Sequence, residues 1–306
     1  GNVMKLVVLL STYNGEKYLR EQLDSLLCQK LLPDRILIRD DGSKNATISI
    51  LEEYHRNYAF ITYYCGENMG PARSFWQLIK DCPEADYYAL CDQDDVWFDD
   101  KLETGISSLE KEDGNMPLLY ASRYTLTDEK LNPINSNVSS LYRYCDFPHS
   151  LLYHSAPGCT FIFNHAARQK ILEYDLEKEY YLIHDAIIHK VVCLFGKMIL
   201  DTTSHIYYRQ HGSNEIGMDA NVLRVFIARV NRFLNGKIRN YRSNTAKSLL
   251  RVYGDEFEEE KRILLEIVAN YQENKELKKQ LLKRECFKTH TINDLFFSIL
   301  VHMNYI

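Results

Sequence analysis

The chain has 306 residues, long enough for one α/β catalytic unit plus an appendage. With 45% hydrophobic residues, 26% charged residues and 22 tyrosines, it has the composition of a globular protein with a sizeable core, which excludes a disordered chain. A net charge of −5 from 37 basic and 42 acidic residues gives no overall field favouring nucleic acid, so any basic surface is local.

The first 120 residues alternate short β-branched runs with segments of helical period, the pattern of βαβ units in a mostly parallel sheet. Strands are predicted at Lys5–Leu10, Arg35–Arg39, Phe60–Tyr64, Tyr87–Cys91 and Leu118–Ala121. Helices fall near Glu16–Cys28, Thr47–Tyr58, Ala72–Asp81 and Asp99–Lys111. Pro71 suits a first helical turn, and Asp41-Gly42-Ser43 leaves the second strand with capping residues. From 122 to 211 the pattern is less regular: a strand at Gly158–Phe163, a helix at His184–Phe195, then a hairpin-like pair, Met198–Thr202 and His205–Tyr208. After Gly217 long helices are expected, including a charged segment from Asp255 to Arg284. The chain thus divides into 1–217, with halves 1–120 and 121–217, and a helical region 218–306.

None of the eight cysteines forms a C-x-x-C pair, and most sit in apolar runs, which fits a reducing compartment. No run reaches the roughly 18 apolar residues that span a bilayer, and no signal peptide opens the sequence. A cytoplasmic protein is expected. Two glycosylation-like triplets, Asn45-Ala46-Thr47 and Asn137-Val138-Ser139, are read as chance.

In an open parallel sheet, ligands bind beyond the carboxyl ends of the strands. Those positions are polar here: Ser11-Thr12-Tyr13-Asn14-Gly15 after the first strand, Asp40-Asp41-Gly42-Ser43 after the second, Asp92-Gln93-Asp94-Asp95 after the fourth. Any one cluster is ordinary turn and cap chemistry. Three converging clusters crowd carboxylates together, and crowded carboxylates call for a cation or donor groups. A D-x-D pair of this kind suits a hard divalent ion.

Taken in order, these strings resemble the family-two glycosyltransferases with the GT-A fold, an α/β, Rossmann-like, mostly parallel sheet flanked by helices. Asn68-Met69-Gly70 before Arg73 and Phe75, then Trp97, Gly158-Cys159-Thr160, His184-Asp185 and Tyr208-Arg209-Gln210-His211-Gly212-Ser213-Asn214 resemble the bacterial rhamnosyltransferase branch. The resemblance covers roughly the first 215 residues. It implies that Ser11, Tyr13 and Asp41 hold the nucleoside of a dTDP- or UDP-linked sugar donor, with Asn14 and Asp40 also among the donor-binding residues. Asp41 would accept the imide N–H of the base, and Tyr13 would stack on it.

The same resemblance implies that Asp94 binds Mn²⁺ or Mg²⁺ on the diphosphate, with Asp92 reaching the ribose or a metal-bound water. His211 would complete the metal shell, and Arg209 or Arg73 would meet a phosphate. Asp185 matches the general base that an inverting transfer needs opposite the leaving group. Trp97, Gly158, Cys159, Thr160 and His184 would line the acceptor pocket. The donor expected from the resemblance is dTDP-rhamnose, with UDP-hexoses and UDP-galactofuranose as alternatives, and the acceptor a hydroxyl of a surface glycan or lipid-linked glycan.

Three other classes are weighed. A nucleotidyltransferase predicts a Gly-rich loop after the first strand, where only Gly15 stands. A dinucleotide-binding oxidoreductase requires G-x-G-x-x-G there. A nucleotide-sugar sensor needs no base at Asp185. Between Asp219 and Arg242, six basic residues oppose one acid, and Leu223, Phe226, Ile227, Val230, Phe233 and Leu234 recur at helical spacing. Ile292–Ile306 adds a second apolar run. Such stripes suit either an anionic membrane interface, at the inner face of the cell membrane, or a helical cap on the catalytic unit.

Overall fold

The computed structural model describes residues 3–134, 145–211 and 238–306. At its centre is β1 (Leu6–Thr12), whose side chains are buried almost throughout, the mark of a parallel strand covered on both faces. It pairs in parallel with β2 (Arg35–Asp40) on one side and β4 (Tyr87–Cys91) on the other, and β3 (Ile61–Cys65) extends the β2 side. The remaining strands are β5 (Val96–Trp97), β6 (Leu118–Thr127), β7 (Ile162–Asn164) and β8 (Lys197–Arg209). The sheet runs β3-β2-β1-β4-β7-β6-β8-β5. Strand order reverses beside β1, so the crevice beyond the ends of β1 and β4 is the switch point where such sheets take ligands.

Between the strands lie α1 (Leu19–Leu27), α2 (Thr47–Asn57), α3 (Pro71–Asp81) and α4 (Lys101–Leu109), each burying one apolar face on the sheet. Pro71 opens α3 as its spacing predicts. Further on come α5 (Phe147–Ser150), α6 (His165–Ile171) and α7 (His184–Phe195). In α7 every residue but the last is buried, because the sheet lies on one side and other helices on the other.

Three expectations are corrected. The hairpin-like pair is one strand: β8 runs unbroken beside β6 in parallel, with irregular register near Ser122–Thr125 absorbing the polar Thr202–Ser204 stretch. Gly158–Thr160 is a 3₁₀ turn and only Ile162–Asn164 is strand. The charged 255–284 segment is not one helix. It divides into α9 (Glu259–Asn270) and α10 (Lys275–Lys283), and Asn274 caps the latter by accepting the Glu276 N–H.

α8 (Tyr241–Tyr253) and α11 (Ile292–His302) complete the C-terminal helices. One apolar cluster runs from the sheet through Leu249, Leu265 and Val268, and the Tyr253 hydroxyl donates to the Lys170 carbonyl, so these helices cap α6 and α7. The boundary expected near 217 and most of the basic 219–242 stretch lie outside the described residues.

Candidate active site

The loops after β1 and β2 are sewn together. Asp40 is fully buried, and its carboxylate accepts from the Thr12 hydroxyl (2.8 Å), the Ser43 N–H (2.8 Å) and the Ser43 hydroxyl (2.6 Å). These three bonds make Asp40 a brace for the β2 turn, whereas the sequence suggests a donor ligand. Asn14 sits at φ +46°, accepts the Lys44 N–H and offers its own N–H to Ser43. Tyr13 is left 46% exposed above this base, an open aromatic face. Gln93 reaches across from the β4 loop and both accepts from the Tyr13 N–H and donates to the Tyr13 carbonyl. A Cβ on residue 15 would stand 2.2 Å from Gln93 Oε1, so a larger residue there would displace the Gln93 side chain from Tyr13.

Asp41 is buried against Arg39, with Oδ1 at 2.6 Å from the guanidinium. It also accepts the N–H groups of Met69 (2.9 Å) and Gly70 (3.0 Å), so it ties the 68–70 loop to β2. Ser11 shares a 2.7 Å hydroxyl contact with Ser74, which in turn takes a bond from Arg39. Arg73 stands exposed on the first turn of α3, beside this group.

The D-x-D loop meets the end of β8. Asp94 Oδ2 and His211 Nε2 are 2.8 Å apart, at the edge of a shallow cleft bordered by Asn14, Lys17, Tyr18 and Gln93. This contact is a hydrogen bond, and it leaves a carboxylate oxygen and an imidazole nitrogen near enough to ligate one Mn²⁺ ion, whose shell admits nitrogen where Mg²⁺ prefers oxygen. Asp92, Asp95 and Cys159 also bring ligand atoms within 4.8 Å of one another. That second group suits a hard cation poorly. One of its three ligand atoms is a thiol sulfur, whereas Mn²⁺ and Mg²⁺ prefer oxygen. Separately, burial together with the charges of Asp94 and Asp92 holds Asp95 well above the usual carboxylate range. Asp95 Oδ1 accepts the Arg209 N–H at 3.1 Å and so anchors the strand that delivers His211.

Asp185, on the first turn of α7, is 6% exposed. Its Oδ2 accepts the Gly158 N–H at 2.9 Å and lies 3.5 Å from His154 Nε2, while Oδ1 takes no hydrogen bond from the described residues. Burial raises this carboxyl. The proximity of His154, then His184 and the Gly158 N–H, outweigh burial and leave Asp185 well below the ordinary carboxylate range. A Cβ on Gly158 would stand 2.9 Å from Asp185 Cβ, so the 3₁₀ turn can approach Asp185 this closely only as glycine. His184 stacks on Phe75 with ring centroids 4.7 Å apart, and burial lowers its pKa.

Several expected ligands are engaged elsewhere. Trp97 offers no open stacking wall: β5 turns its ring into the core at 3% exposure, with Lys101 Nζ 4.0 Å above it and that ammonium's pKa lowered by burial to about 8. Arg209 is 1% exposed, lies over the Tyr18 ring and bonds Glu21 and the Glu129 carbonyl, which makes it a strut between α1 and β8 and not a phosphate ligand. Cys159 is buried, and Thr160 spends its hydroxyl on the Pro157 carbonyl, while Gly158 gives its N–H to Asp185. Sequence reasoning missed Arg39, Gln93, Asp95 and His154. The first three sit inside or beside the quoted strings, but nothing in the sequence links His154 to Asp185.

The sheet order and the polar loops at its switch point are those of the GT-A fold. The model of "Glycosyl transferase family 2" matches residues 7–172, more than half of the chain, and the protein belongs to that family. A dTDP-rhamnosyl transferase of Shigella flexneri, RfbG, is 27% identical over 267 residues, 81% of this chain and 86% of its own. An uncharacterized glycosyltransferase of Rickettsia prowazekii, RP339, is 31% identical over 182 residues, 56% of this chain and 54% of its own. Among solved structures, S. aureus TarS 1-349 matches with a TM-score of 0.58 at 15% identity, covering 97% of this chain and 80% of that one. Its complex with UDP-GlcNAc matches at 0.57 and 16%, covering 97% and 81%.

Proposed function

We propose that the protein is an inverting, metal-dependent glycosyltransferase that moves L-rhamnose from a dTDP-linked donor to a hydroxyl of a surface glycan or lipid-linked glycan. The observation that carries the reading is the Asp185 carboxylate on the first turn of α7, held by Gly158 with Oδ1 taking no hydrogen bond from the described residues, beside a sheet whose edge loops present Asp94 and His211. Tyr13 stacks on the base of the donor, and Asp41, Ser11 and Arg73 surround the nucleoside. Asp94 and His211, with Asp92 nearby, would hold a divalent cation, which supplies neutralisation of the charge that develops on the departing diphosphate.

Asp185 Oδ1 takes the proton from the acceptor hydroxyl as that oxygen bonds to the anomeric carbon and the bond to the phosphate oxygen breaks. Attack from the face opposite the leaving group inverts the centre, so a β-linked L-rhamnosyl donor gives an α-linked product. The donor assignment leans on the 27% identity to the Shigella flexneri enzyme. A UDP-linked hexose is the second reading, favoured by the TarS complexes with UDP and UDP-GlcNAc. The place of work is the cytoplasmic face of a membrane that displays the acceptor.

A panel of dTDP- and UDP-sugars with Mn²⁺, Mg²⁺ or chelator, scored by donor hydrolysis and thermal shift, tests this. Rhamnosyl donor turnover with metal is expected. Stabilisation by no nucleotide under any metal condition overturns the reading. Asp185→Asn should keep donor binding within about twofold and lose roughly 10³-fold or more in kcat.

A further inference from the structure

The C-terminal helices carry a surface that glycosyl transfer does not explain. Along α11, Phe297, Leu300 and Val301 face the core, while Ile292 (76% exposed), Leu295 (61%), Phe296 (38%), Ile299 (48%) and Met303 (52%) form one stripe at i, i+3, i+4, i+7 and i+11. The helix carries no lysine, arginine or glutamate. Asp294, its one acidic side chain, is occupied by the hydroxyl and N–H of Thr289 and the N–H of His290. Contiguous exposed apolar faces of this kind mark a binding surface.

Beside the stripe lies a basic strip. Lys278 of α10 bonds the His302 carbonyl and the Asn304 side chain, which fixes α10 against the end of α11. Residues 275–290 contain six lysines and arginines against Glu276 and Glu285, a local charge of 6 − 2 = +4 in a chain of net −5. Lys275, Lys283 and Arg284 are exposed and form no ion pair with the described residues.

We propose that the α11 stripe and the α10 cations together dock the protein on an anionic lipid bilayer. An apolar stripe entering the headgroup region beside unpaired cations is the arrangement of interfacial helices, and the charge selects anionic lipid over a second copy of this chain, whose matching surface would repel. The buried face of α11 gives the docking a direction. Phe297 packs on Tyr153 (6.3 Å between centroids), and the next residue, His154, contacts Asp185. A lipid-borne acceptor would therefore be presented on the side of the molecule that holds the candidate base. The binding itself needs no sugar transfer, so its failure leaves the enzymatic reading standing.

The test is co-sedimentation of the whole chain with vesicles of phosphatidylcholine mixed with phosphatidylglycerol, against pure phosphatidylcholine, across a salt series. Salt-sensitive binding to the mixed vesicles is expected. Phe296→Glu with Ile299→Glu, both at exposed positions, should abolish it with an unchanged melting temperature. Neutralising Lys275, Lys283 and Arg284 to Gln should weaken it by about fivefold per cation, roughly a hundredfold together. Absence of binding to mixed vesicles overturns the proposal, as does equal binding by the double glutamate variant. So does a wild-type dimer that this variant splits without any lipid binding, which would assign the stripe to a second copy.

Discussion

Asp185 is ionised by its neighbours and not by solvent. Burial alone would raise its carboxyl, and the proximity of His154 reverses the sign. A folded pKa below the unfolded value of about 4 means that this group contributes stability fully above that value and loses it as pH falls through the folded pKa. Across pH 5–8 Asp185 is therefore already deprotonated, and if it is the base as proposed it sets no acid limb in kcat over that range. His154→Gln leaves burial unopposed by the first of its counterweights, with His189 and Lys190 of α7 also nearby and both lowered chiefly by burial. The carboxyl should then rise by about one pH unit, still below about pH 4, with a stability loss of about 1 kcal/mol at pH 7. Chemical denaturation at pH 7 that returns the wild-type stability would remove His154 as the charge partner. Gly158→Ala is the steric counterpart. The new Cβ, 2.9 Å from Asp185 Cβ, forces the base to shift, and kcat should fall roughly tenfold to a hundredfold while the donor KM stays near its original value.

At the scale of elements, legibility followed periodicity. The strands and helices of the first 120 residues could be read because each is a short run bounded by turn residues, and the loops at their ends carry polar side chains the core would not tolerate. β8 was misread because Asp201, Thr202, Thr203 and Ser204 look like a turn; pairing to β6 with a shifted register carries the strand straight through them. The 3₁₀ turn at Gly158–Thr160 was hidden for the opposite reason, since an apolar run cannot distinguish turn from strand when tertiary packing decides. Trp97 and Arg209 follow from the same gap: burial of their side chains depends on β5–β8 pairing and on Glu21 and Tyr18, which are distant in sequence.

The β8 end also separates two adjacent acids by experiment. Asp94 faces His211, whereas Asp95 is buried, held well above the usual carboxylate range, and used through Oδ1 on the Arg209 N–H. Asparagine reproduces that acceptor without the charge. Asp95→Asn should therefore change Mn²⁺ affinity by less than about threefold, while Asp94→Asn weakens it by about tenfold or more. Mn²⁺ titration followed by spin resonance checks both. Equal weakening would mean that the buried carboxylate, and not Asp94 with His211, holds the ion.

For the molecule as a whole, the candidate ligands come from residues 11 to 211, and a bound nucleotide would join the β1, β2 and β4 loops to the end of β8. Ligation of that span couples local binding to global unfolding, because a chain that unfolds loses every contact at once. A nucleoside diphosphate with Mn²⁺ at one hundred times its dissociation constant should add about 2.7 kcal/mol, a rise of about 5 °C in Tm for a chain of this size. The metal share is separable. With chelator, only base and ribose contacts near Tyr13 and Asp41 remain, and the rise should shrink by more than half. Asp94→Ala should show that smaller rise whether or not Mn²⁺ is present, since its nucleoside contacts are intact. If Mn²⁺ restored the full shift to Asp94→Ala, the diphosphate would not be reached through Asp94, and the cation would have to be sought at the Asp92–Asp95–Cys159 group.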